Sequence, residues 1–63
     1  MTLKHIPMKD WTKKELEIAD KLHNQTIDPS GAIHLLNALN EKNKYYLVSN
    51  AEDYHYLNVL EVN

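Results

Sequence analysis

The sequence predicts an α+β domain with a helix-turn-helix-like pair of helices, a C-terminal β-hairpin, and an N-terminal arm able to add a third short strand. Segment 28–43 carries start and stop signals around an apolar stripe, and segment 12–23 begins with a capping box. After Lys44 the residues become aromatic and β-branched, as in strands. Residues 1–63 form one small domain, and a domain of this size buries only about 60% of its unfolded surface.

The N-terminal arm, residues 1–8, contains Leu3, Ile6 and Pro7 and predicts an extended segment or edge strand. Proline disfavours the helical conformation in the residue before it, so the first helix is expected to begin after Pro7.

The first helix is predicted from about Thr12 to His23. Thr12 is the N-cap and Glu15 the third helical residue of a capping box. Trp11 and Leu16 are placed to form a hydrophobic staple across this start. The pattern predicts a buried face that consists of Leu16, Ala19 and Leu22, with Ile18 and His23 at its edges.

The second helix is predicted over segment 28–43, after a connector in which Ile27 fills the angle between the helices. Asp28 is the N-cap, Pro29 the first helical residue and Asn43 the expected C-cap. Gly31 costs roughly 1 kcal/mol relative to alanine inside a helix. The predicted buried face consists of Ala32, Leu35, Leu36 and Leu39, and the opposite face of Ser30, His34, Asn37 and Glu41.

The hairpin is predicted from strands at residues 45–48 and 54–62, with a polar turn over residues 49–53. Alternation in the second strand is imperfect. Leu57 and Val59 point to one face, whereas Tyr56, Leu60 and Val62 point to the other. Either a bulge near Asn58 shifts the face, or both faces are partly covered.

Composition favours a soluble, intracellular, cytoplasmic protein. The chain is 43% hydrophobic and 25% charged, it has no cysteine, and no segment has the length of a membrane span or the apolar core of a signal peptide. Seven lysines and nine acidic residues give a net charge of −2 with no arginine. Because nucleic-acid binders neutralise phosphates with clustered Lys and Arg, this balance favours a protein partner over DNA, and no membrane partner is expected.

Three segments resemble regulators of the multiple-antibiotic-resistance (MarR) type, a winged helix-turn-helix family. They are Glu15-Leu16…Ala19…Leu22, then Ile27-Asp28-Pro29-Ser30, then Leu35-Leu36…Leu39…Glu41-Lys42. Tyr46-Leu47-Val48 and Glu52-Asp53 stand where that family has its first wing strand and acidic wing turn. The resemblance covers residues 15–62 and implies a recognition helix at segment 28–43 with the hairpin as wing.

The chain departs from this family where the family contacts DNA. After Ser30 the family has hydroxyl, polar or basic side chains, whereas this chain has Gly31, Ile33, His34 and Ala38. The family's wing carries arginines, whereas this wing carries Asn50, Glu52 and Asp53, and acidic groups are repelled by phosphates. The family's dimerisation helices have no counterpart in the sequence. The resemblance therefore implies a recognition scaffold with altered chemistry at its tip.

Other functional patterns receive little support. The four histidines lack the close spacing of zinc ligands; they are His5, His23, His34 and His55. The tyrosines concentrate in the hairpin, where cross-strand pairing is the first interpretation and an interface the second; they are Tyr45, Tyr46, Tyr54 and Tyr56. With one glycine there is no phosphate-binding loop, and no nucleophile–base motif is present. We therefore expect that the protein is not an enzyme and that it binds neither a cofactor nor a metal.

The sequence thus predicts a non-enzymatic protein-binding module, an inhibitor or adaptor of the kind encoded by phages and mobile elements. The expected surface combines the second helix with the hairpin tip and consists of Ser30, Ile33, His34, Asn37, Asn50, Glu52 and Asp53.

Two alternatives stay open. A small DNA-binding regulator or recombination accessory factor would contact phosphates through Lys9, Lys13, Lys14, Lys42 and Lys44. A structural subunit would instead complete its core by forming a homo-oligomer.

Overall fold

The computed structural model describes residues 2–62, which form two helices and a three-stranded sheet. In chain order the elements are strand β1 (Leu3–His5), a 3₁₀ turn (Met8–Asp10), helix α1 (Lys13–His23), helix α2 (Pro29–Ala38), strand β2 (Lys44–Ala51) and strand β3 (Tyr54–Val62). The predicted α+β class is confirmed, and so is the third strand from the N-terminal arm.

The sheet has the strand order β1-β3-β2, and both pairings are antiparallel. Only Glu52 and Asp53 separate β2 from β3, and Glu52 has a φ of 51°, as two-residue hairpin loops require. The turn is therefore shorter than the predicted segment 49–53, and residues 49–51 belong to β2. Pairing runs unbroken from Ala51↔Tyr54 to Lys44↔Glu61, so β3 has no bulge near Asn58.

The capping box of α1 is confirmed. The Thr12 hydroxyl accepts a hydrogen bond from the Glu15 amide at 3.2 Å, and Glu15 Oε1 accepts one from the Thr12 amide at 2.8 Å. The predicted buried face is wrong in part, because Glu15, Ile18 and Leu22 are buried while Leu16 is 40% exposed. The helix is rotated so that the stripe at i, i+3 and i+7, which begins at Glu15, faces the core.

The start of α2 is as predicted, but its end is not. Asp28 Oδ1 accepts a hydrogen bond from the Gly31 amide at 2.7 Å, and Pro29 is the first helical residue. The helix ends at Ala38, and its C-cap is Leu39, four residues before the predicted C-cap Asn43. Asn40 (φ 54°) follows directly and adopts the left-handed conformation that often ends helices, while Asn43 (φ 63°) adopts it immediately before β2.

The core lies between the helices and one face of the sheet. Its buried hydrophobic residues are Ile18, Leu22, Ala32, Leu36, Leu57 and Val59. Ile27 of the connector packs against this cluster, as predicted, and so does Leu39. Leu35, predicted in the buried face of α2, is 40% exposed.

Gly31 lies where the connector passes close to α2. A Cβ atom at Gly31 would be 3.0 Å from Asp28 Oδ1 and 3.1 Å from Ile27 Cγ1. Glycine lowers the helix propensity here, but it avoids a close contact of a Cβ atom with the N-cap side chain and with Ile27.

Candidate functional site

The helical half of the predicted surface forms one shallow depression. Ser30, His34 and Asn37 are exposed, and they line this depression together with Pro29 and Ile33. Ile33 is partly buried and packs against the core. It therefore contributes to the fold and to the floor of the depression at once.

The hairpin half folds back onto the connector between the helices. The Gln25 side-chain amide donates a hydrogen bond to the Asp53 carbonyl, and the Asn50 side chain contacts the His55 ring. His55 lines a second small depression with connector residues and Pro29. Pro29 borders both depressions, but the three predicted hairpin residues line neither of them, and Glu52 and Asp53 are exposed at the hairpin end.

The five lysines considered for phosphate contacts lie on four segments of the chain. Lys9 lies in the 3₁₀ turn, Lys13 and Lys14 in the first turn of α1, and Lys42 in the link before β2. The Lys14 ammonium is 4.0 Å from a Glu17 carboxylate oxygen. Lys44, at the start of β2, directs its ammonium at the buried Glu15 carboxylate.

Glu15 is the centre of a buried polar cluster that the sequence did not reveal. Its side chain is fully buried, and Oε2 accepts hydrogen bonds from the Tyr46 hydroxyl at 2.6 Å and from Lys44 Nζ at 3.1 Å. Oε1 accepts the Thr12 amide of the capping box. One carboxylate thus caps α1 and joins it to β2.

The cluster shifts two pKa values in opposite directions. Burial by itself raises the pKa of Glu15, but the bonds from Tyr46, the Thr12 amide and Lys44 together outweigh it and lower that pKa. Burial raises the pKa of Tyr46 well above its usual range, and the adjacent Glu15 carboxylate adds to the increase. The structure therefore favours an ionised Glu15 and a neutral Tyr46.

An apolar groove with a volume of about 400 Å³ lies between α1 and β3. We call it the α1–β3 groove, and its lining residues are Met8, Trp11, Leu16, Ala19, Asp20, His23, Tyr56 and Leu57. Three of its hydrophobic side chains are well exposed: Met8 (59%), Leu16 (40%) and Tyr56 (40%). Helix α1 packs with Glu15, Ile18 and Leu22 towards the core, so Leu16 lies outside the core and lines the groove.

Neighbouring contacts fix the walls of this groove. The Trp11 indole donates a hydrogen bond to the Ile6 carbonyl at 2.8 Å, which anchors the ring. At the other end the His23 and Tyr54 rings meet edge to face, with centroids 4.6 Å apart. One part of the groove had a signal in the sequence, because Trp11 and Leu16 were expected to meet as a hydrophobic staple. Nothing in the sequence pattern placed Tyr56 beside them.

A strand edge that β1 does not pair with runs beside the groove. The Ile6 amide donates to the Val59 carbonyl, so Val59 turns its backbone groups towards β1. Alternate residues of an antiparallel strand turn their backbone groups the same way, so those of Leu57 and His55 also face this side. The arm leaves the sheet at Pro7, and β1 does not extend along these two residues.

Residues 2–62 contain neither a metal-binding cluster nor a membrane-spanning helix. No group of three or more His, Cys, Asp or Glu side chains there is placed to hold a metal ion. Neither helix of this region is long and apolar enough to cross a membrane.

Comparison with known proteins gives no relative from which a role can be transferred. No family model, curated protein or solved structure matches this chain.

Proposed function

We propose that this domain is a small non-enzymatic protein-binding module that acts by occupying a partner's surface, as an inhibitor or adaptor. The observation that carries the proposal is the α1–β3 groove. Its volume of about 400 Å³ accommodates one or two large side chains, and its lining is mostly apolar and aromatic. Protein interfaces concentrate their binding energy in apolar and aromatic anchors that fill such concavities.

The groove also suggests the chemistry of its partner. Among the described residues that line it, Asp20 is the acidic one, and the others are apolar or aromatic apart from His23. The backbone groups of His55 lie on the same side, beyond the end of β1, and can bond an extended chain. The expected partner segment therefore carries a large apolar side chain next to a lysine or arginine.

Charge favours a protein over DNA as the partner. The chain has a net charge of −2 and no arginine, and the Lys44 ammonium is bound to Glu15. The acidic hairpin tip, Glu52 and Asp53, would repel a phosphate backbone. The element order of strand, two helices and hairpin supports a winged-helix-like scaffold, in which the α2 depression and the hairpin end supply further polar groups.

A matched pair of leucines tests the groove. Leu16 and Leu35 are both helical and both 40% exposed, but only Leu16 lines the groove. Selection of a random peptide library on the wild-type protein should enrich peptides with an apolar residue beside Lys or Arg. Leu16→Glu should weaken their binding at least roughly tenfold, which corresponds to about 1.4 kcal/mol, whereas Leu35→Glu should leave it unchanged. Absence of enrichment, or equal binding to both variants, would contradict the proposal.

The α2 and hairpin surface has its own test. Once a peptide or protein ligand is in hand, alanine at Ile33, His34 and Glu52 should weaken its capture while the circular dichroism spectrum stays native. Unchanged capture with an intact fold would remove this surface from the proposal and leave the groove alone.

DNA binding is the competing outcome, and salt dependence separates it. A duplex bound through Lys9, Lys13, Lys14 and Lys42 would lose affinity steeply between low and moderate salt. A protein-binding module should give no shift of a labelled duplex in a gel at either salt concentration. A salt-dependent shift that is lost when these four lysines are replaced would support the DNA-binding alternative.

A further inference from the structure

The outer edge of β2 is a complete, unprotected strand edge. The Val62 amide donates to the Asn43 carbonyl, and the pairing alternates from there, so odd-numbered residues of β2 bond β3. Lys44, Tyr46, Val48 and Asn50 therefore turn their backbone N–H and C=O groups away from the sheet. Within residues 2–62, no hydrogen bond reaches these groups.

This edge lacks the devices that usually prevent strands from pairing. Natural edge strands carry charged side chains, prolines or bulges that block association. From residue 45 to residue 51 β2 has no charge and no proline, and its register with β3 is unbroken. Its one lysine, Lys44, directs its ammonium inward to Glu15.

The side chains beside the edge are also apolar and uncovered. Leu47 is 57% exposed and Tyr45 is 53% exposed, and both lie on the sheet face opposite the core. Tyr46 and Val48, on the other face, pack against the core. An extended chain added here would find backbone partners along its length and apolar contacts on the outer face.

We propose that β2 pairs antiparallel with β2 of a second copy of this chain, which would make a continuous six-stranded sheet. The edge is self-complementary: a register in which Lys44 opposes Asn50 and Tyr46 opposes Val48 uses all four outward-facing residues of both copies. In this register the aromatic Tyr46 faces the β-branched Val48, which is a favourable cross-strand pair, and no two like charges face each other. This proposal concerns a surface separate from the α1–β3 groove and holds or fails independently of it.

The register places Leu47 on the two-fold axis, directly opposite Leu47 of the second copy. It is there a non-hydrogen-bonded pair, in which the Cα atoms are only about 4.5 Å apart. That spacing lies within the range that a disulfide spans. Two eight-residue strands make a small interface compared with the usual size of about 800 Å² per partner, so we expect a reversible dimer.

Cysteine substitution tests the predicted contact. The chain has no cysteine, so Leu47→Cys introduces a single thiol, and Leu3→Cys supplies a control on β1, where the leucine is 56% exposed. Under mild oxidation Leu47→Cys should form a disulfide-linked dimer rapidly and Leu3→Cys only slowly. Equal rates for the two variants would overturn the proposal.

Lysine substitution tests the same contact without a covalent bond. Sedimentation of the wild type at several concentrations should show a monomer–dimer equilibrium. Leu47→Lys sets two like charges opposite each other and should raise the dissociation constant at least roughly tenfold, about 1.4 kcal/mol, whereas Leu3→Lys should not. Circular dichroism checks that both variants keep the fold. A wild type that is monomeric at all concentrations, or a dimer that only Leu3→Lys disrupts, would contradict pairing through β2.

Discussion

On the two sides of α1, a charged residue and its apolar neighbour have the opposite of the burial that their hydropathy predicts. On the inner side, Glu15 is fully buried, while on the outer side its neighbour Leu16 is 40% exposed. The difference lies in their partners. Glu15 accepts hydrogen bonds from the Thr12 amide, the Tyr46 hydroxyl and the Lys44 ammonium, and these bonds to both carboxylate oxygens compensate its desolvation. Leu16 instead lines the α1–β3 groove.

The orientation of α1 follows the whole buried stripe. Ile18 and Leu22 lie on the same stripe as Glu15, and together they bring two large hydrophobic side chains into the core. A buried charge is acceptable in this stripe because β2 supplies its partners. The outward leucine is then available for binding.

The largest effect is expected from truncating the buried side of α1. Leu22→Ala removes a fully buried side chain and should lower the free energy of unfolding by about 3 kcal/mol. Leu16→Ala makes the same chemical change at the groove and should cost about 1 kcal/mol or less, because much of this side chain already contacts water. Urea denaturation measures both. Equal losses would show that Leu16 belongs to the core.

The next effect concerns the carboxylate itself. Glu15→Ala leaves the Tyr46 hydroxyl and the Lys44 ammonium without their acceptor and should lower the free energy of unfolding by about 2–3 kcal/mol. Glu17→Ala is the matched control, because Glu17 is exposed and its ion pair with the Lys14 ammonium is long at 4.0 Å. This substitution should change the free energy of unfolding by less than about 0.5 kcal/mol. A small effect of Glu15→Ala would mean that water replaces the lost carboxylate.

The smallest effect is a pH dependence with two limbs. The pKa of Glu15 is lower in the folded state, so its stabilisation is present above the unfolded value of about 4.3 and is lost as the pH falls through the folded pKa. The pKa of Tyr46 is higher in the folded state, so its stabilisation is present below about pH 10 and is lost as the pH rises beyond it.

Tyr46→Phe separates these two limbs. In the variant, the Tyr46 contribution to the loss of stability at alkaline pH should disappear, while the loss at acidic pH should remain. At neutral pH its free energy of unfolding should be about 1 kcal/mol lower than that of the wild type. Thermal unfolding across the pH range measures this, with Tyr45→Phe on the exposed face as the control. An unchanged alkaline limb in Tyr46→Phe would contradict the assigned role of the Tyr46 hydroxyl.

Local signals predicted the helix starts and the strand segments well. Thr12 with Glu15, and Asp28 with Pro29, begin the two helices because caps act over three or four residues of continuous chain. The end of α2 was harder, since the predicted stop at Asn43 has a competitor in Asn40. Asn40 and Asn43 both adopt the left-handed conformation, and Asn40 comes first.

The candidate site was harder to predict than the fold. The residues of the α2 face were predicted as a set and do line one depression, because they are close in sequence on a single helix. The α1–β3 groove was missed, because it joins Met8 and Leu16 to Tyr56 across three elements. No periodicity within one segment reports such a contact.

By itself, the sequence determined where each helix begins, which segments are strands, and that the net charge is negative without arginine. These properties depend on neighbours in the chain or on composition alone. The tertiary structure decided that Glu15 is buried, that Leu16 lines a groove, and that β2 is an uncovered edge. Each of these depends on which distant segment supplies a partner, and hydrogen-bond partners and apolar contacts between segments exist only once the sheet and helices have packed together.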